Sequence, residues 1–272
     1  SSMPTSQSPV NLLLHGLCST PDELLSVYAA LTREGHLVKH LVIPGYSFDA
    51  SMDQQEASVF ECWIDFVCKE IKDIKAQGQE VNLIGLSAGA TVALGAALKV
   101  PQSIDRLILL STPLIVDGWS IPFIHFLLPV ALYTPLGGLW KYKEKTPFGV
   151  KNVRIRDWIE RELSHRRVSQ AGASVLEVAH LREHDRLRRY VMKHLAKADL
   201  PRALVIHARE DEVASLSNVR WLEKNWQLGQ IQVVLLDNSY HMITIDNDRE
   251  QVCKAILDFL SVESFPSRVS TI

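Results

Sequence analysis

Val81-Asn82-Leu83-Ile84-Gly85-Leu86-Ser87-Ala88-Gly89-Ala90 is the stretch on which the fold turns. Residues 81–84 form a short apolar run, the length of a buried strand. A Gly-x-Ser-x-Gly pentapeptide follows at once. Residues 88–99 then read as a helix built mostly of small residues. A strand that turns into a helix through a serine flanked by glycines is the setting of a nucleophile elbow. The glycines let strand and helix approach without an intervening side chain. The turn lifts the Ser87 hydroxyl clear of the sheet. The N–H of Ala88 lies at the helix N-terminus, where free donors and the helix dipole favour a developing negative charge. The bare alternative is a tight strand-to-helix turn without chemistry.

Working outward, the same alternation repeats. Residues 10–14 read as a strand. Thr20-Pro21-Asp22-Glu23 combines a capping Thr, a Pro for the first helical position and a Glu three residues after the cap. A helix should run from there to about residue 33, stopped by Gly35. Residues 37–43 are the next strand. Residues 55–75 form a helix, with Phe60, Ile64, Val67, Ile71 and Ile74 at helical spacing. A strand over 104–110 follows. After Pro113 the pattern breaks: residues 114–150 are rich in Pro, Gly and aromatics, and residues 151–202 read as charged helices. Alternation resumes with a strand at 203–207, a helix near 217–226, a strand at 231–236 and a final helix over 249–260. Short apolar strands alternating with helices specify a mainly parallel α/β sheet covered on both faces.

The division expected is a tail over residues 1–9, a core over 10–113 and 201–262, an insertion over 114–200 and a tail over 263–272. The insertion leaves from the carboxyl end of a strand, the end at which open α/β sheets bind ligands. It should therefore roof the site as a helical cap or lid.

A serine hydroxyl needs a base. His241, in Asn238-Ser239-Tyr240-His241-Met242, follows the last strand by a few residues and is the better candidate. His207, at the end of a strand, is the competitor. The base needs a buried acid to orient it. Asp211, in the loop after residues 203–207, fits; Glu210, Glu212 and Asp237 are its rivals, the two glutamates expected to point elsewhere. The chain order Ser, Asp, His differs from that of the chymotrypsin and subtilisin arrangements. A second amide donor for an oxyanion should come from the loop after the first strand, His15-Gly16-Leu17, as the N–H of Leu17. His15 shapes that loop, and Cys18 is a bystander thiol.

Composition bounds the rest. The chain has 272 residues, 47% hydrophobic and 22% charged, with a net charge of −2. These are globular values. They argue against a nucleic-acid partner, whose footprint would be strongly basic. Four cysteines form no CxxC, so neither a disulfide framework nor a structural zinc is expected, in keeping with a reducing, cytoplasmic compartment. No run reaches ~18 consecutive apolar residues, so no transmembrane helix is expected. The polar start, residues 1–8, does not read as a signal peptide.

The four blocks LLLHGLCSTPDEL, NLIGLSAGATVAL, HAREDEVASL and SYHMITID together resemble the α/β-hydrolases, and more narrowly the small bacterial carboxylesterases and monoacylglycerol lipases. The resemblance implies Ser87 as nucleophile, Asp211 as acid, His241 as base, and Leu17 and Ala88 as oxyanion donors. It implies hydrolysis of short- to medium-chain carboxylic esters through an acyl-enzyme, with no metal or organic cofactor required. Members of that fold usually carry further strands ahead of the His-Gly loop. Nine residues precede Val10 here, so about six strands are expected, with residues 37–43 as an exposed edge.

In the insertion, Trp119, Phe123, Phe126, Leu127 and Trp140 are too apolar for water-bathed loops; with Met242 they are candidates to line a pocket for an apolar acyl or aromatic group. Residues 151–202 carry an excess of Lys and Arg, read as solvated helix faces in preference to an anion- or membrane-steering patch. His180 and His184 have metal-capable spacing but no evident third ligand. Amide, carbamate, thioester and carbon–carbon hydrolysis remain open on the same residues. So does a ligand receptor without turnover. The sequence leaves the oligomeric state open.

Overall fold

A computed structural model describes residues 8–48, 57–119, 133, 141–143, 148–165, 168–169, 172–173 and 175–261. Six strands form one sheet: β1 (Val10–Leu14), β2 (Leu37–His40), β3 (Val81–Leu86), β4 (Arg106–Leu110), β5 (Arg202–Ala208) and β6 (Ile231–Leu236). Their order is β6-β5-β4-β3-β1-β2, and every pairing is parallel. The helices are α1 (Leu25–Arg33), α2 (Phe60–Ala76), α3 (Ala88–Lys99), α4 (Val153–His165), α5 (Val178–His194), α6 (Ser217–Asn225) and α7 (Arg249–Ser261). No helix among the described residues is long and apolar enough to cross a membrane.

The strands read as unbroken apolar runs because both faces are covered, and their alternation divides the core in two. Leu12, Leu14, Leu83, Leu107, Leu109 and Val205 face a cluster supplied by α2, α3, α5 and α6. Leu13, Ile84, Ile108, Leu110, Leu204 and Ile206 face the opposite cluster, closed by α1, α7 and Ile159 of α4. The small residues of α3 explain its central place: Ala88 through Ala97 are all buried. A β-carbon on Gly95 would come within 2.5 Å of Ile64 of α2.

The edge expected at residues 37–43 is there, as β2, half-exposed beside β1. It ends at His40 because the Ile43 N–H is taken by the Ser47 hydroxyl at 2.8 Å, starting the turn through Pro44 and Gly45. Four other expectations are corrected. Helix α2 begins at Phe60, not residue 55; the carboxylate of Glu183, on α5, accepts the Phe60 N–H at 3.0 Å and so fixes its start. Glu23 does not cap its own helix; the first turn, Pro21–Leu24, is a 3₁₀ turn capped by Thr20. The charged stretch is not purely helical: Lys141–Lys143 pairs antiparallel with Val175–Glu177, and Val168–Ser169 with Gly172–Ala173. Nor are all its charges solvated. Glu183 and Asp185 are buried on α5; Arg186 joins Glu183 to Glu61 of α2, and Arg188 and Arg189 hold Asp185. His184 packs inward, with Nε2 3.1 Å from the Thr91 hydroxyl, and burial pushes its pKa down to about 4.

Candidate active site

The carboxyl ends of the strands gather the candidate residues. Ser87 joins β3 to α3 with φ 56° and ψ −125°, a conformation that a residue with a side chain occupies only under constraint. The constraint is visible. The Ser87 N–H donates to Leu110 O at 2.8 Å, and its own carbonyl accepts the Ala90 N–H at 2.8 Å. A β-carbon on Gly85 would lie 2.4 Å from Gly89 O, and one on Gly89 only 2.2 Å from Leu14 O. The second contact brings the loop after β1 against the first turn of α3.

His241 is buried in the loop between β6 and α7. Its Nε2 is 2.8 Å from Ser87 Oγ, and its Nδ1 is 2.8 Å from Asp211 Oδ2. A carboxylate can only accept, so Nδ1 carries the proton and Nε2 presents its lone pair to the serine hydroxyl. Asp211 is fixed through its other oxygen, which accepts the N–H groups of Val213 and Ala214, both at 2.9 Å. Burial pushes its carboxyl up, but His241, His207 and the backbone donor outweigh that and hold it below the usual carboxylate range. It is therefore ionised at neutral pH.

His207, the competing base, is fully buried and faces the acid. Its Nε2–H donates to Ala214 O at 2.7 Å and lies 3.4 Å from Asp211 Oδ2. Burial depresses its pKa, so it stays neutral. The rival acids separate cleanly. Asp237 pairs with Arg209 at the surface, and Glu210 pairs with Lys151. Glu212, expected to point elsewhere, instead turns inward: it is 2% exposed, and its Oε2 faces the main-chain N–H of His241 at 3.4 Å.

The loop after β1 is held from every side. His15 is buried; its Nδ1–H donates to Gly16 O at 2.7 Å, so its Nε2 accepts the Ser47 hydroxyl at 2.8 Å. Burial pushes its pKa down to about 4. Tyr46 Oη donates to His15 O at 2.6 Å, and the Cys18 N–H donates to Tyr46 O at 2.9 Å. The Glu23 carboxylate, 3% exposed, accepts the Gly16 N–H at 2.7 Å. Among the described residues, the N–H groups of Leu17 and Ala88 take no acceptor. Two residues here escaped the sequence reading. Glu23 was legible only as a helix-start signal. Ser111, buried after β4 with φ 53°, donates its hydroxyl to His241 O at 2.6 Å; a lone serine after a strand carries no such signal.

Glu23→Ala should remove the Gly16 acceptor and leave a buried N–H unsatisfied, at a cost of about 1–3 kcal/mol. Turnover should fall about tenfold or more with KM little changed, whereas Glu23→Gln, which keeps an acceptor oxygen, should retain most of it. Steady-state kinetics of the two variants decides this.

Of the pocket candidates, Trp119 is 61% exposed; its Nε1–H donates to Glu210 O and its ring meets Tyr240 edge-on at 5.4 Å. Met242 is buried in the α1/α7-side cluster, against Gly149, and serves the core. Phe123, Phe126, Leu127 and Trp140 lie outside the described residues.

A family model described as serine aminopeptidase, S33, matches residues 7–248. A thermostable monoacylglycerol lipase from Bacillus sp. (strain H-257) is 25% identical over 250 residues, covering 92% of this chain and 89% of that protein. Among solved structures, the monoacylglycerol lipase of Paleococcus ferrophilus superposes with a TM-score of 0.75 at 16% identity, covering 93% of this chain and 95% of the other. A soluble variant of monoglyceride lipase from Saccharomyces cerevisiae gives 0.75 at 15% identity, covering 94% and 87%.

Proposed function

The chain belongs to the serine aminopeptidase S33 family and has the α/β-hydrolase fold, and on that premise we propose that it is a serine carboxylic ester hydrolase of the monoacylglycerol lipase and esterase kind. The observation that carries the reading is the continuous chain of contacts from Ser87 Oγ through His241 to Asp211, each 2.8 Å long, ending at a serine in a constrained turn.

The reaction runs in two steps. Ser87 Oγ attacks the ester carbonyl carbon as its proton passes to His241 Nε2. The carbonyl oxygen becomes an oxyanion between the N–H groups of Leu17 and Ala88, each such donor worth about 3–4 kcal/mol in the transition state. The tetrahedral adduct collapses, and the departing alcohol oxygen takes the proton from His241. A water molecule then gives a proton to the same nitrogen and attacks the acyl-enzyme. The second adduct expels Ser87, reprotonated by His241, and the carboxylic acid leaves. Asp211 stays ionised throughout and stabilises the imidazolium formed in each step.

Residues 114–200 act as the cap. This segment is tied to the acid and base loops near its start and at its middle: the Gly118 N–H donates to Val213 O, Gly149 O accepts the Met242 N–H, and Asp246 accepts the N–H groups of Lys151 and Asn152. Trp119, packed on Tyr240, lies at the rim of the site and contributes to an apolar wall for the acyl chain. The substrates are esters with an apolar acyl part of short to medium length. A fluorophosphonate probe should label Ser87 stoichiometrically, and esters should be turned over faster than matched thioesters and anilides. A folded protein that takes no label would defeat the proposal.

A further inference from the structure

Asp211 and Glu212 are consecutive, each 2% exposed, and they address the same histidine at two places. Asp211 holds the ring through Nδ1, while Glu212 Oε2 faces the main-chain N–H from 3.4 Å. That second contact is too long for a strong hydrogen bond. Its weight is electrostatic, because a charge this deeply buried acts on the imidazole with little screening. We propose that Glu212 is a positioning residue that sets the basicity of His241: ionised, it favours the imidazolium; protonated, it withdraws that support. The inference rests on His241 being the base that activates Ser87.

Among the described residues, charged and titratable groups approach this carboxyl from two loops. From its own loop comes Asp211, with His207 of β5 behind it. From the β6–α7 loop comes His241. Asp117 is engaged with Ser215, Lys151 with Glu210, and Asp246 with the main-chain N–H groups of Lys151, Asn152, Tyr240 and Asn247. Gly149 closes the far side, where a β-carbon would come 3.4 Å from Glu212 Oε1. Burial drives the Glu212 carboxyl up to about 7, His241 opposing and Asp211 reinforcing the rise. The carboxyl and the imidazole act on each other in one buried corner, so a proton on either disfavours a proton on the other. As the medium turns acid, Glu212 neutralises and His241 keeps its lone pair further down the scale.

The experiment measures the rate of Ser87 phosphonylation by a fluorophosphonate from about pH 4.5 to 9, in the wild type and in Glu212→Gln. The wild type should show an acid limb shallower than one ionisation. The Gln variant should show a single-ionisation limb, its midpoint lower by about one pH unit, and a plateau rate about fivefold lower. A Gln limb with the wild-type midpoint and slope overturns the inference, whatever its plateau. Imidazole NMR titration of His241 in the same two proteins gives an independent reading, again with a midpoint about one unit lower in the variant. Should the wild type take no label, the nucleophile reading fails, and the NMR midpoint alone decides for or against Glu212.

Thermal melting controls for folding. A buried acid whose folded pKa lies above its unfolded value of 4.5 favours the fold at low pH and opposes it as pH rises through about 7. The Gln variant should therefore match the wild type near pH 4 and melt above it at pH 8. Glu212→Asp, which keeps the charge, should keep the shallow limb; a sharp, lowered limb in that variant counts against the charge as the cause.

Discussion

Ser87→Ala should lower turnover of p-nitrophenyl acyl esters by about 10⁴–10⁶-fold, the range set by serine hydrolases that lose their nucleophile. The remaining groups act as a unit. Without the oxygen, the imidazole has nothing to deprotonate, and only binding and the two amide donors remain. The fold should hold, because the variant forfeits a single hydrogen bond to His241, worth about 0.5–1.5 kcal/mol. The turn itself supplies a second check. With φ at 56° and ψ at −125°, the position costs any residue that carries a β-carbon about 1–3 kcal/mol. Ser87→Gly should therefore be as inactive as Ser87→Ala yet melt at a higher temperature. Activity above a thousandth of wild type in either protein, measured on material free of contaminating esterase, would remove Ser87 from the chemistry.

Asp211→Asn should be nearly as damaging, lowering kcat about 10⁴-fold, and the hydrogen bonds around it say why. One carboxylate oxygen accepts the N–H groups of Val213 and Ala214. In the variant the amide oxygen must take that place, since an NH₂ group cannot accept. The NH₂ then faces His241 Nδ1 and donates to it. The imidazole is forced into the tautomer with hydrogen on Nε2, and a hydrogen, not a lone pair, meets the serine. Substrate binding should change little, so the loss should fall on kcat, and phosphonylation of Ser87 should slow in parallel. A variant that keeps more than a tenth of wild-type kcat would show that another group orients the histidine.

Much of this arrangement was legible in the chain because local rules and tertiary demands agree there. The run of Ala and Gly after Ser87 reads as a tightly packed helix, and α3 spans the residues expected, Ala88–Lys99. Strand β6 likewise falls at Ile231–Leu236, bounded by turn residues. The Ser, Asp and His candidates come together because each follows a parallel strand, and all carboxyl ends open on one side. What was not legible depends on partners distant in sequence. The start of α2 is set by Glu183, 123 residues away. Glu23 looked like half of a capping box, but its carboxylate goes to the Gly16 amide, a choice that depends on how α1 packs beside β1. Glu212 was expected to point elsewhere because neighbouring side chains on a tight loop diverge. The Gly118 main chain, packed on the Glu212 carbonyl, fixes its backbone in a way that no local pattern announces.

The parallel order of the sheet has a consequence for how the molecule acquires its chemistry. Ser87 and His241 are 154 residues apart along the chain, and five of the six strands must be seated before the loops that bear the site's residues can meet. Helices form in about a microsecond, whereas pairings between remote strands close slowly. During renaturation the helical signal thus returns first and hydrolytic competence last. In a thermally stressed molecule, loosening of either half of the sheet disarms the site while much of the helical content survives.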